Sequence, residues 1–135
     1  MTRAARWAYA VLAWAFVLGL AVQVFYAGLG IFGSSSNLAV HVNLGWMLHL
    51  APILILAAAA LSRAGRRHWG WALALAAVVF VVPILVLARD SSPVIAALHP
   101  VGAAVAFWLA IVVARQSLEV VRGGDPEPSP VEATA

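Results

Sequence analysis

The sequence predicts an all-α fold, an integral membrane bundle of four up-and-down helices, on three observations. Hydrophobic residues make up 64% of the 135-residue chain and charged residues 10%, where a soluble domain carries roughly a quarter charged residues. The apolar residues fall into four long runs, each near the ~20 residues a helix needs to cross hydrocarbon. Short connectors rich in Ser, Gly and Arg separate the runs, and short connectors make successive helices antiparallel neighbours. The bundle is expected over residues 1–122.

The first run, about 7–32, follows a short basic head. It exceeds the roughly 7–15 apolar residues of a cleavable signal peptide, so it is expected to stay as a span, with length to spare for tilt. Gly19, Gln23, Ala27 and Gly30 recur along it at three- and four-residue intervals, with Tyr26 alongside. That spacing puts them on one helix face, which should look into the bundle. Residues 33–37 form a turn-rich connector in which Ser36 and Asn37 are natural caps. The second run, about 38–61, carries His41, Asn43, His49 and Pro52 and ends in a basic turn at 62–68. The third, about 69–88, has no strongly polar side chain in its interior and reads as scaffold, with a kink expected at Pro83. Residues 89–93 make another tight connector, with Ser92 as cap and Pro93 in the first helical turn. The fourth run is about 93–114. Beyond Arg122 the apolar periodicity stops, so 123–135 is expected to be a disordered cytoplasmic tail.

Charge sets the orientation. The formal net charge is +3, yet the chain has no lysine, and its arginines sit at the ends of apolar runs. That distribution excludes a nucleic-acid surface and reads as membrane topology. Arg3, Arg6, Arg63, Arg66, Arg67, Arg115 and Arg122 fall on one side of a four-span arrangement, with Arg89 alone on the other. The positive-inside rule then places both termini in the cytoplasm. Trp7, Trp69 and Trp71, near run ends, fit interfacial anchors.

With no cysteine, the chain has no disulfide, no thiolate metal site, no iron–sulfur cluster and no covalent c-type haem. Any iron must rest on histidine. An ionisable residue inside a membrane helix is costly and needs a partner, which makes it a functional candidate. His41 lies about four residues past Asn37 and His99 about six past Pro93, and both runs descend from the outer side, so at ~1.5 Å per residue the two are level to roughly 3 Å. His49 is about 12 Å deeper than His41 and turned by about 80° around its helix. It is expected to be structural, and His68 to be a solvated residue of the basic turn.

In an up-and-down bundle the second and fourth helices occupy diagonal corners and leave room for a macrocycle between them. Haem iron takes one nitrogen above and one below the ring, so His41 and His99 are candidate axial ligands of a non-covalent haem b. Gly45 lies one turn past His41, and Gly102 and Ala103 one turn past His99, where small side chains would let a porphyrin edge approach the backbone. Gln23 and Tyr26 would line the same space. Outward propionates would meet Arg89 and the hydroxyls of Ser34, Ser35 and Ser36. The function expected is electron transfer or haem handling near the outer face, with a quinone or redox partner. Any catalysis would be that of a membrane oxidoreductase. The alternative is a haem-free bundle that binds a partner protein or a small apolar ligand, because polar groups and glycines also glue membrane helices together.

The segments 23–32 (QVFYAGLGIF), 41–45 (HVNLG) and 97–102 (ALHPVG) resemble an uncharacterised family of small four-span actinobacterial membrane proteins, over the first, second and fourth runs. The resemblance implies a multi-pass protein of the bacterial cytoplasmic membrane. More distantly, histidines on the second and fourth helices are similar to half of a haem A synthase and to other cytochrome b-like bundles, which implies axial roles for His41 and His99 alone. The glutamates that accompany the synthase's chemistry have no counterpart inside these runs. Phosphate-binding loops, zinc-protease and nucleophile-elbow motifs, and intramembrane carboxylates are all lacking.

Overall fold

The computed structural model describes residues 3–123, and within them the chain is helical throughout, with no strand. Four segments are long and apolar enough to cross a membrane: Arg3–Phe32, Ser36–Leu61, Gly65–Leu87 and Pro93–Arg122. The first and third are single helices, α1 (Arg3–Phe32) and α4 (Gly65–Leu87). The second is divided into α2 (Ser36–Leu48) and α3 (Ala51–Leu61), and the fourth into the short α5 (Pro93–Ala96) and α6 (Leu98–Arg122).

Proline explains both divisions. Pro52 has no N–H to give the Leu48 carbonyl, and its ring crowds that carbonyl. The preceding amides tighten instead, His49 N–H donating to Trp46 O at 3.3 Å and Leu50 N–H to Met47 O at 3.4 Å. Pro100 acts likewise on the Ala96 carbonyl, and the helix breaks at Ala97. The kink expected at Pro83 does not divide its helix, and α4 runs through it unbroken. Helix ends also differ from the apolar limits. α4 starts at Gly65, so Arg66, Arg67 and His68 belong to its first turn, and α6 continues past 114 to Arg122. There Gln116 and Ser117 are buried, and that packing carries the helix beyond its apolar run. Ser92 occupies the N-cap position of α5 with Pro93 behind it, but its side chain makes no capping hydrogen bond. Ser36 and Asn37 are helical rather than capping, because α2 begins at Ser36 after Ser35. The expected tail at 124–135 lies outside the described residues.

α1 packs on α2, α3 and α6, and α4 packs on α3 and α6. The four spans therefore follow one another around the bundle, with the second and fourth on a diagonal. The face of α1 read from its spacing receives the second span. A Cβ on Gly19 would meet Leu48 and one on Gly30 would meet Leu38, so the missing side chains let the helices close.

The core gathers at one end. Tyr9, Ala13 and Phe16 of α1, Ile55 and Ala59 of α3, Ala72 and Leu75 of α4, and Ala106, Leu109, Ala110, Val113 and Ala114 of α6 are buried. α2 and α5 bury nothing. At the packed end Glu119 faces Arg67 at 3.8 Å and His68 at 3.9 Å, and the His68 side chain is only 16% exposed. It lies against α6 rather than being solvated, with its Nε2 buried and without a hydrogen-bond partner. Large apolar side chains such as Phe32 (91% exposed) and Leu87 (80%) cover the outside, a surface that suits lipid.

Candidate functional site

His41 and His99 face each other across the diagonal at the loosely packed end. Their ring centroids are 6.4 Å apart and their planes cross at 77°. Two imidazoles that coordinate one ion from opposite sides, at ~2 Å per bond, stand with centroids roughly 6 Å apart.

The remaining ring nitrogens are fixed. His41 Nδ1 lies 3.0 Å from the Gln23 carbonyl and His99 Nδ1 2.9 Å from the Val82 carbonyl. A carbonyl oxygen only accepts, so each Nδ1 carries the hydrogen and each neutral ring keeps its lone pair on Nε2. Metal-binding histidines are held in this way, with the second nitrogen donating to a carbonyl or carboxylate that sets tautomer and ring orientation.

The two glycines serve these anchors. Gln23 Nε2 donates to the His41 carbonyl at 2.7 Å, so Gln23 and His41 clasp each other reciprocally across α1 and α2. A Cβ on Gly45 would come within 2.7 Å of Gln23 Nε2, so the bare backbone admits that amide. A Cβ on Gly102 would come within 2.8 Å of Val82 Cγ2, so the glycine brings α4 close enough for His99 to reach Val82 O. The volume beside both glycines, expected to receive a porphyrin edge, is thus taken by Gln23 and Val82. Gln23 thus touches His41 through the backbone of His41. Its Oε1 is buried without a partner.

Other expected residues stand apart from the anchors. Tyr26 stacks edge-on against Phe25 at 5.8 Å. Ala103 is half-buried on α6. Arg89 is exposed and lies 3.7 Å from Asp90, and Ser35 is exposed while its neighbours Ser34 and Ser36 bond to each other at 2.8 Å. His49 Nδ1 turns back on the Gly45 carbonyl at 2.6 Å, and its ring meets Phe80 edge-on at 5.7 Å. Sequence reasoning did not identify which carbonyls anchor the two rings. The only signal for them was the glycine one turn past each histidine.

Among the described residues no group of three or more His, Cys, Asp or Glu side chains converges to hold a metal ion. A paired imidazole therefore suits a metal that brings its equatorial ligands with it, as an iron porphyrin does.

Removing Gln23's side chain isolates the clasp. Gln23→Leu deletes one hydrogen bond, worth about 1 kcal/mol, and also removes a buried orphan oxygen that costs a similar amount. His41 Nδ1 keeps its acceptor, which is backbone. The melting temperature in detergent is expected to move little, within about 1 kcal/mol of stability, and a collapse of the fold would contradict the assignment.

These features define a multi-pass helical membrane protein, by the length and composition of its helices, with two imidazoles paired between diagonal spans. Its sequence is similar to DUF6220, a family of unknown function, whose model matches residues 23–89. The match takes in Gln23, His41 and Gly45 and stops short of His99. No curated protein and no solved structure matches the chain. The likeness to haem A synthase and cytochrome b-like bundles therefore rests on His41 and His99 alone.

Proposed function

We propose that this chain is a membrane haem b protein with His41 and His99 as axial ligands, acting in electron transfer or haem handling. The observation that carries the reading is the paired geometry: two rings at coordinating separation across the diagonal, each with Nδ1 pinned to a carbonyl and Nε2 left as the donor. Haem would supply a one-electron couple. The chain's part is to hold both imidazoles level, to fix their tautomer through Gln23 O and Val82 O, and to surround them with apolar helix. A quinone or a second redox protein would take the electron onward, since a single site at one end does not span the bilayer.

The second reading, a haem-free bundle, draws on the same bonds, because His41 to Gln23 and His99 to Val82 each tie two spans together. Absorption spectroscopy separates the two. Protein purified from cells supplied with haem should carry a Soret band and sharp reduced visible bands, and colourless protein that stays colourless with added haem supports the haem-free reading.

For topology we propose that the arginine-rich end faces the cytoplasm and the His41–His99 end faces outward, in a bacterial cytoplasmic membrane. Four crossings leave both ends of the chain on one side. A reporter fused after Ala135 should be active in the cytoplasm and one inserted at Ser35 should report the exterior. The opposite pattern would put the histidine pair at the inner face.

A further inference from the structure

We propose that the turn between α3 and α4 binds an anionic phospholipid, its headgroup phosphate held between Arg63 and Arg66 beside Trp69. A shallow depression open to the surroundings lies there, lined by the exposed residues Arg63, Gly65, Arg66 and Trp69. Two arginines beside one depression suit phosphate oxygens, which a guanidinium can grip in bidentate fashion. Both are uncommitted among the described residues, whereas Arg67 and His68 share Glu119 and Arg89 has Asp90. The first turn of α4 begins at Gly65, and its unpaired N–H groups favour an anion as well.

The backbone at Arg63 bears on how the site can be tested. α3 ends in a Schellman motif, with Ala64 N–H donating to Ala59 O at 3.2 Å and Arg63 N–H to Ala60 O at 3.0 Å. Glycine normally fills the left-handed position of that motif. Here Arg63 holds it, at φ 53°. A glycine would adopt this conformation without strain.

Depth selects a lipid over a free anion. The turn sits where two spans end, with Leu61 and Trp69 exposed beside it, and a phospholipid there places its phosphate at the arginines and its chains against the adjoining helices. Basic pockets at span ends are established headgroup sites in membrane proteins.

The test is native mass spectrometry of the full chain from nanodiscs that mix phosphatidylglycerol with phosphatidylcholine. Wild type should retain phosphatidylglycerol in preference, and Arg63→Gly/Arg66→Gln should lose that preference by about tenfold or more. Arg63→Gly relieves the left-handed position, so alone it should raise the melting temperature, and loss of lipid in it cannot be ascribed to misfolding. Arg3→Gln/Arg6→Gln removes equal charge from the same end of the bundle and should keep the preference. Equal loss in that pair would mean diffuse attraction and overturn the site. Displacement of the lipid by inorganic phosphate at low concentration would make it a free-anion site. Preference that emerges only after residues 124–135 are deleted would assign the arginines to the tail's own Asp125, Glu127 and Glu132. Either result overturns the proposal.

Discussion

His41→Ala and His99→Ala are each expected to abolish the six-coordinate, low-spin haem spectrum. A bis-imidazole centre has no spare ligand, since no third metal-binding side chain joins the pair among the described residues. Loss of an outer partner of a ligating histidine typically weakens metal binding by ~10–100-fold, and loss of the ligand itself should cost more. His49→Ala should leave the spectrum in place, because His49 Nδ1 is bound to its own helix at Gly45 O and its ring lies against Phe80 rather than in the pair. His68→Ala should do likewise, its ring standing by Glu119 at the far end. A spectrum that survives His99→Ala and disappears in His49→Ala would contradict the assignment.

Gly102→Leu is expected to be the most damaging change outside the ligands. Even a Cβ there would sit 2.8 Å from Val82 Cγ2 and 3.7 Å from Leu85 Cδ1. Val82 is β-branched and stiff, so α4 must move away. Overpacking of this kind costs about 1–3 kcal/mol, and the displacement also draws Val82 O away from His99 Nδ1. The haem account therefore requires a coupled outcome. Haem at about a hundred times its dissociation constant stabilises a folded state by ~2.7 kcal/mol, so it should raise the melting temperature of wild type clearly and that of Gly102→Leu much less. Gly45→Leu should behave similarly, because a leucine packed against Gln23 pushes α1 away and carries the Gln23 carbonyl out of reach of His41 Nδ1. A haem-free bundle would show both variants destabilised and all three proteins indifferent to haem.

The distribution of polar residues made much of this fold legible. Four apolar runs and their connectors gave the bundle, and a count from the connector before each of their spans placed His41 and His99 level, with ring centroids 6.4 Å apart. Helix limits were less legible because hydropathy marks what lipid covers, whereas Gln116 and Ser117 extend α6 by packing against protein. The proline breaks illustrate a second limit. Of the three prolines in span interiors, Pro52 and Pro100 divide their helices and Pro83 does not. The glycines beside the histidines were legible as small but not as to what they admit, since a missing Cβ serves any close partner. Here the partners are Gln23 and Val82, one from each helix flanking the diagonal. Arg63 was read only as one positive charge among several, because a left-handed φ leaves no trace in the sequence when the residue is not glycine.

Under the proposed function, two imidazoles on diagonal spans hold one iron porphyrin. The most direct measurement is titration of the purified protein with haem, followed by absorption in the oxidised and dithionite-reduced states. The account predicts saturation at one haem per chain, with a low-spin ferric spectrum and sharp bands on reduction. A haem spectrum that never saturates, remains high-spin, or is unchanged in the His41→Ala/His99→Ala double variant would contradict it.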